Sequence, residues 1–338
     1  MVDFARLFGN ADTKQRLKRA ILNGTLPHAL LVFGERGSGK RTLALEIASA
    51  LMCKNSRGGS IPCGECINCK RVREGNHTDV KVLRRQSGKA TVGVEEVRIF
   101  RDDMFLSPTE ADCKVYIVED ADTLTAQSQN ALLKVLEEPP SNMYLIMLTT
   151  SADKILSTIK SRTQYIAMQI HSQSEILGYL KSSSDIPFGV GEDKYQSAAR
   201  LSRGLLGRAK EALTGDRMES EDKVLTCVMG LIRALPGRTP YSELYSALNA
   251  FPTKRDEFRY ALEIALNAIR DLMVVRSSDE EEMLFFKDRQ EAEENLASVS
   301  QKRLSDIFGI LLSAIEDTDK NVLTSALITD LSLRIKQI

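Results

Sequence analysis

No stretch of this sequence stays apolar for long. No run approaches the roughly 20 residues that a membrane-spanning helix needs. The most apolar stretches, around Val115–Val118 and Tyr144–Leu148, have the length of single strands. The opening MVDFARLFGN is charged and has no apolar h-region, so no secretory signal is expected. An excess of charge is also missing. The 46 Lys and Arg residues balance 46 Asp and Glu, which speaks against a globally basic nucleic-acid binder while leaving room for a local basic face. Only three histidines occur, and His28, His77 and His171 share no ligand-like spacing, so they read as structural or surface residues. No internal repeat or low-complexity tract stands out. These absences imply a cytoplasmic protein. In that reducing compartment, clustered cysteines bind metal more readily than they form disulfides.

What is there is an ordinary globular composition, 43% hydrophobic and 27% charged, in 338 residues, enough for two or three domains. Strands and helices alternate through the first 165 residues. The apolar runs Ala29–Phe33, Val80–Leu83, Lys114–Val118 and Met143–Thr150 read as strands. Between them, Leu43, Ile47, Ala50 and Leu51 fall at helical spacing, Val94, Val97 and Phe100 begin another helix, and Ser128–Leu136 forms a third. Glu137-Glu138-Pro139-Pro140 stops that third helix, since proline cannot continue it. This alternation predicts a parallel sheet covered on both faces. From about residue 170, helical periodicity takes over, with Leu262, Ala265, Leu266, Ile269, Leu272 and Met273 on one face and Ile307, Leu311 and Ile315 on another. Ser182–Asp193 reads as a polar loop, and the charged stretch Thr214–Asp222 as a domain boundary.

Between the first strand and the next helix lies Gly34-Glu35-Arg36-Gly37-Ser38-Gly39-Lys40, which fits G-x-x-x-x-G-K. Glycines at this spacing let successive backbone N–H groups turn inward around phosphate oxygens, and the helix N-terminus adds positive potential. Lys40 would meet the β- and γ-phosphates of ATP, or the β-phosphate of ADP. The plain alternative is a glycine-rich turn without a ligand. The residue after the lysine should be Ser or Thr, whose hydroxyl binds Mg²⁺, but here it is Arg41. Thr42 comes one place later, about 100° around the helix and facing away from a metal. Nucleotide binding is therefore expected, and metal-assisted hydrolysis is not.

Cys53, Cys63, Cys66 and Cys69 form C-x9-C-x2-C-x2-C, with Pro62, Gly64 and Glu65 giving turn character. Two C-x2-C steps that share a cysteine, plus a fourth at loop distance, can close a tetrahedral four-thiolate site for a structural Zn²⁺. A redox C-x-x-C is the competing reading, which prefers a thioredoxin-like context. Cys113 and Cys227 stand alone as small core residues.

With these motifs placed, a resemblance becomes visible. Pro27-His28-Ala29, the phosphate loop, the four cysteines, Gly75–Asp79, Asn130–Pro139 and Ser161-Arg162-Thr163 follow one another in that order. Together they resemble the clamp-loader subunits of bacterial DNA polymerase III, of the AAA+ family, in their delta-prime and gamma/tau forms. The likeness is dense over about residues 5–166 and diffuse beyond. It implies an α/β AAA+ P-loop core, a three-helix lid and an all-α collar domain. The expected bounds are 1–168 for the core with its zinc module at about 53–69, 169–215 for the lid and 216–338 for the collar. It further implies partnership with gamma/tau and delta subunits in a hetero-pentamer that opens a sliding clamp and places it on primer-template DNA, with no membrane involved.

The family's hydrolysing subunits carry Asp-Glu after the third core strand, whereas Glu119-Asp120 stand here in reverse order. These two either form a degenerate Walker B pair or merely end a strand. Ser161-Arg162-Thr163 matches the family's Ser-Arg-Cys except for threonine, and the resemblance implies that Arg162 is an arginine finger acting in trans on a neighbour's nucleotide. Thr149 or Thr150 falls where the family places its first nucleotide sensor. Gly207 aligns with the second sensor arginine, with Arg208 one position on. Arg41, the reversed carboxylates and Gly207 each weaken hydrolysis in cis while Arg162 is kept, which is the delta-prime pattern. The end of the chain at residue 338 leaves no room for the long tau extension. An ATP-hydrolysing gamma/tau-type motor is the alternative. Lys81, Arg84, Arg85 and Lys89 form a basic cluster that reads either as a solvated face or as a contact to DNA phosphates.

Overall fold

The computed structural model describes residues 4–54, 61–86, 91–183, 185–186, 190–214, 216–236, 239–276, 283–296, 299–318, 320 and 322–338, with backbone alone for 216–221. The chain divides into two compact units, one of residues 1–171 and 205–207, the other of 172–204 and 208–338.

The first unit is an α/β layered core. Its elements are α1 (Ala11–Leu22), β1 (Ala29–Phe33), α2 (Lys40–Met52), α3 (Ile67–Glu74), β2 (Val80–Leu83), α4 (Val94–Met104), β3 (Lys114–Val118), α5 (Ala126–Glu137), β4 (Met143–Thr149), α6 (Ser157–Lys160) and β5 (Gln164–Ala167). The sheet order is β2-β3-β4-β1-β5 and every pairing is parallel. Side chains alternate across a strand, and the core follows that rule. Leu30, Val32, Val115, Ile117, Ile146 and Leu148 face one way against Leu43, Ile47 and Met52 of α2. Leu31, Tyr116, Val118, Leu145 and Met147 face the other way against Val97 of α4 and Leu132, Val135 and Leu136 of α5. Both faces are covered, which explains why these strands are continuously apolar. Truncating a fully buried residue such as Leu31 would cost about 2–5 kcal/mol.

Helix ends follow from local chemistry. Thr125 caps α5, its Oγ1 accepting from the Ser128 N–H at 3.1 Å. α5 ends at Glu137, two residues before Pro139. Asp79, just before β2, is fully buried and accepts from the backbone N–H groups of Thr109 (2.7 Å), Glu110 (2.7 Å) and Ala111 (2.9 Å). It thereby ties the loop ahead of β3 to the start of β2.

The second unit is helical: α7 (Gln173–Ser182), α8 (Glu192–Leu201), α9 (Leu206–Leu213), α10 (Asp216–Ala234), α11 (Tyr241–Asn249), α12 (Arg255–Val274), α13 (Arg289–Leu296), α14 (Gln301–Thr318) and α15 (Thr324–Gln337). The first residues of α9, up to Gly207, belong to the first unit. α7 starts in a capping box between Ser172 and Glu175. One apolar core joins α12 (Leu262, Ala265, Ile269, Leu272), α14 (Ile307, Leu311, Ile315) and α15 (Leu327, Leu331, Ile335). The buried Asp271 accepts from the N–H groups of Leu284, Phe285 and Phe286 and so anchors the chain ahead of α13. No helix among the described residues is long and apolar enough to cross a membrane.

Candidate functional site

Ligands of open α/β sheets gather outside the carboxyl ends of the strands. The register sets Phe33 of β1 beside Thr149 of β4, and Val118 of β3 beside Met147. The ends of three strands therefore deliver Gly34, Glu119, Thr149 and Thr150 to one edge. Gly37 and Gly39 hold φ of 90° and 93°, a backbone that glycine adopts without strain. A β-carbon on Gly34 would stand 2.6 Å from Ser38 Oγ. Ser38 Oγ is buried and has no hydrogen-bond partner, as expected of a group kept for a ligand. Lys40, at the start of α2, donates from Nζ to the carbonyls of Gly34 (2.5 Å) and Glu35 (2.9 Å), folded over its own loop. Burial lowers its pKa, against the carboxylates of Asp120, Asp122 and Glu35, which raise it. These residues fit a polyphosphate.

They do not fit Mg²⁺. Arg41 points its Nε at Glu119 Oε1 across 3.0 Å, and Arg84 places its Nε 3.1 Å from Glu119 Oε2. Each oxygen of that carboxylate already meets a guanidinium, and no hydroxyl follows Lys40. Thr42 is half-buried, one residue further along α2. Asp120 takes a left-handed backbone with φ 49°. Asp122, which the sequence reading passed over, accepts from Thr149 Oγ1 (3.2 Å), Thr150 Oγ1 (3.0 Å) and the Thr150 N–H (3.2 Å). Its signal was faint, a carboxylate two residues beyond an acidic pair. Gly207 donates its N–H to the Gly37 carbonyl at 2.9 Å, and a β-carbon there would lie 2.7 Å from Gly37 Cα. In the second unit, the guanidinium of Arg208 pairs with Glu263 at 3.1 Å.

Arg162 stands elsewhere. Leu30 of β1 pairs with Gln164, so residues 161–163 lie at the amino-terminal edge of the sheet, opposite the phosphate loop. The Arg162 side chain is 37% exposed. It pairs with Glu137 Oε1 at 2.9 Å and donates to the Thr158 carbonyl at 3.0 Å and to Ser161 Oγ at 3.3 Å. Gln129 of α5, also missed in the sequence, donates to the carbonyls of Leu124 and Lys154 and accepts from the Leu156 N–H.

The thiols of Cys53, Cys63, Cys66 and Cys69 converge, all sulfur atoms lying within 4.8 Å of one another. A tetrahedral four-thiolate Zn²⁺ site with Zn–S of about 2.3 Å needs sulfurs about 3.8 Å apart, and Cys63 and Cys69 stand at 4.0 Å. The N–H groups of Cys63, Cys66 and Cys69 point at sulfurs of the same set, at 3.3–3.5 Å. Hydrogen bonds from the Cys66 and Glu65 backbone pull the Cys63 thiol down to about 6. Residues 55–60 of the module fall outside the described residues. Cys113 is buried, and burial pushes its thiol up to about 11, which suits an inert core residue. Cys227 donates to the Ala250 carbonyl. Of the basic cluster, Arg84 is engaged with Glu119, while Lys89 lies outside the described residues.

A family model described as DNA polymerase III, delta subunit, matches residues 9–172. The delta' subunit of Bacillus subtilis (strain 168) DNA polymerase III is 25% identical over 323 residues, 95% of this chain and 94% of that one. The chain is thus similar to clamp-loader subunits of DNA polymerase III. The DNA polymerase III subunit gamma of Buchnera aphidicola subsp. Acyrthosiphon pisum (strain APS) is 36% identical over 210 residues, 62% of this chain and 56% of that one. The chain thus spans about half the length of the gamma-type clamp-loader relatives it matches. A gamma-subunit-related protein of Thermotoga maritima superposes with a TM-score of 0.49 at 17% identity, over 96% of this chain and 98% of that one. A parallel five-stranded sheet with flanking helices carries the phosphate loop, and further helices follow.

Proposed function

We propose that this chain is the delta-prime-type subunit of a DNA polymerase III clamp loader, one that does not hydrolyse ATP itself and completes a neighbour's ATP site with Arg162. The observation that carries the reading is the state of Glu119, whose two oxygens are each held by an arginine at the position where hydrolysing subunits hold Mg²⁺. The end-to-end match to a delta' subunit supports it, as does an exposed Arg162 at the far edge of the same sheet. In this reading the partners are gamma/tau and delta subunits in a hetero-pentamer, with the sliding clamp and primer-template DNA reached through the complex in the cytoplasm. Residues 1–168 form the AAA+ core, 169–215 the lid and 216–338 the collar. The four cysteines hold a structural Zn²⁺ that ties the end of α2 to the start of α3, with no open coordination position.

The deciding experiment is Arg162→Ala in the reconstituted loader. Its DNA-stimulated ATPase is expected to fall about 10³-fold, the low end of an arginine finger's contribution. Unchanged turnover removes the reading. The gamma-type identities favour a second reading, an ATP-hydrolysing motor subunit. Steady-state hydrolysis by the purified chain that disappears in Lys40→Ala would establish that one.

A further inference from the structure

We propose that the Gly34–Lys40 loop takes a nucleoside di- or triphosphate without a divalent cation, the Arg41 guanidinium supplying the positive charge that a bound metal supplies elsewhere. The proposal rests on the reading of this loop as a nucleotide cradle and says what chemistry that cradle accepts.

Polyphosphate needs positive potential along its length, and the loop offers three sources. Backbone N–H groups at the start of α2 give the first. Lys40 gives the second, its ammonium held at the mouth of the loop by the Gly34 and Glu35 carbonyls. Arg41, the next residue, gives the third. Its side chain remains 57% exposed while Glu119 fixes its Nε, so further guanidinium N–H donors stay open to an incoming phosphate oxygen. Ser38 Oγ adds a buried hydroxyl without a partner.

A divalent cation finds the opposite. Mg²⁺ demands a near-octahedral set of oxygens. The hydroxyl position after Lys40 is an arginine, and the carboxylate that would face it is bridged by two guanidinium groups. The carboxylate of Asp122 is committed to Thr149 and Thr150. Asp120 remains, and a single carboxylate near the Lys40 ammonium offers a dication more repulsion than coordination. The site has its counter-charge built in covalently, in place of an exchangeable ion.

The experiment is calorimetric titration of the full chain with ATP and with ADP, once in excess EDTA and once in Mg²⁺. The two dissociation constants are expected to agree within about threefold. Binding that appears only with Mg²⁺ overturns the proposal, and so does the absence of binding in both buffers. Arg41→Thr removes the guanidinium and restores the hydroxyl; its metal-free affinity should fall at least about tenfold. Arg41→Lys keeps a cation and should retain most of the binding, and a thermal melt of each variant shows whether it is folded. Equal metal-free affinity in the wild type and Arg41→Thr would also overturn it. None of these titrations involves Arg162, whose role is read from the ATPase of the assembled loader, so either idea can fail while the other stands.

Discussion

The two edges of the first unit's sheet use the same chemistry to opposite ends. At the carboxyl edge, guanidinium groups close on a carboxylate: Arg41 and Arg84 each meet one oxygen of Glu119. At the amino edge, Arg162 also touches a carboxylate, but Glu137 and the Thr158 carbonyl hold it from one side and leave the side chain open to solvent. At one edge two guanidiniums share a single carboxylate; at the other a single guanidinium is held by a carboxylate and a carbonyl. The lesson is that an arginine's role depends on how its charge is shared, which residue identity alone does not reveal.

Exchanging the two arginines' fates tests that contrast. The largest expected effect is the loss of about 10³ in loader ATPase for Arg162→Ala, about 4 kcal/mol of transition-state stabilisation. Its own nucleotide binding should stay as in the wild type. Arg41→Thr should show the reverse, with weakened metal-free binding and loader turnover close to normal. If both variants damage the same readout, the two edges are not functionally separate.

Next in size is the scaffold at the amino edge, at the start of β2. Burial pushes the Asp79 carboxyl up, but hydrogen bonds from Thr109, Glu110 and Ala111 outweigh it and hold its pKa below the ordinary 3.8. A depressed carboxyl binds fewer protons in the folded state, so its contribution is present above the unfolded-chain value. It is lost as pH falls from about 4 through the folded-state pKa. Asp79→Asn should cost about 1.5–3 kcal/mol at neutral pH, read by denaturant unfolding, and should flatten the acid limb of the stability curve. The smallest effect belongs to Glu137→Gln. Its partner is partly exposed and such pairs are worth about 0–1 kcal/mol, so stability should barely move. A change in loader ATPase far larger than the change in stability would show that Glu137 orients Arg162.

Much of the first unit was legible in sequence because its signals are local. The strands at Ala29–Phe33, Val80–Leu83 and Lys114–Val118 fall where the apolar runs place them, and the fourth ends at Thr149, one residue short of the expected Thr150. The phosphate loop and the converging cysteines were equally visible, since glycine spacing and C-x2-C spacing are set within a few residues. β5 was not, because Gln164–Ala167 is a short edge strand with exposed Tyr165 and Ala167, held by its pairing with β1 more than by its own pattern. The ion pairs of Glu119 were also out of reach. They join Glu119 to Arg41 and Arg84, which lie 35 or more positions from it in sequence and meet it only once the parallel sheet aligns its strand ends. Arg84, read as one of a basic cluster, pairs its Nε with Glu119 while its side chain stays half exposed. Asp122 escaped for the same reason, its partners Thr149 and Thr150 lying on another strand.

The close approach of Gly207 to Gly37 limits what residue 207 can become without moving the phosphate loop. Any mutation that gives residue 207 a side chain places an atom 2.7 Å from the phosphate-loop backbone, so the loop must move before the change is tolerated. Arginine is among the side chains barred. Reverting Arg41 alone would leave Glu119 with one counter-charge fewer at a half-closed edge. Each of these two changes, made alone, thus meets a steric or an electrostatic cost of its own.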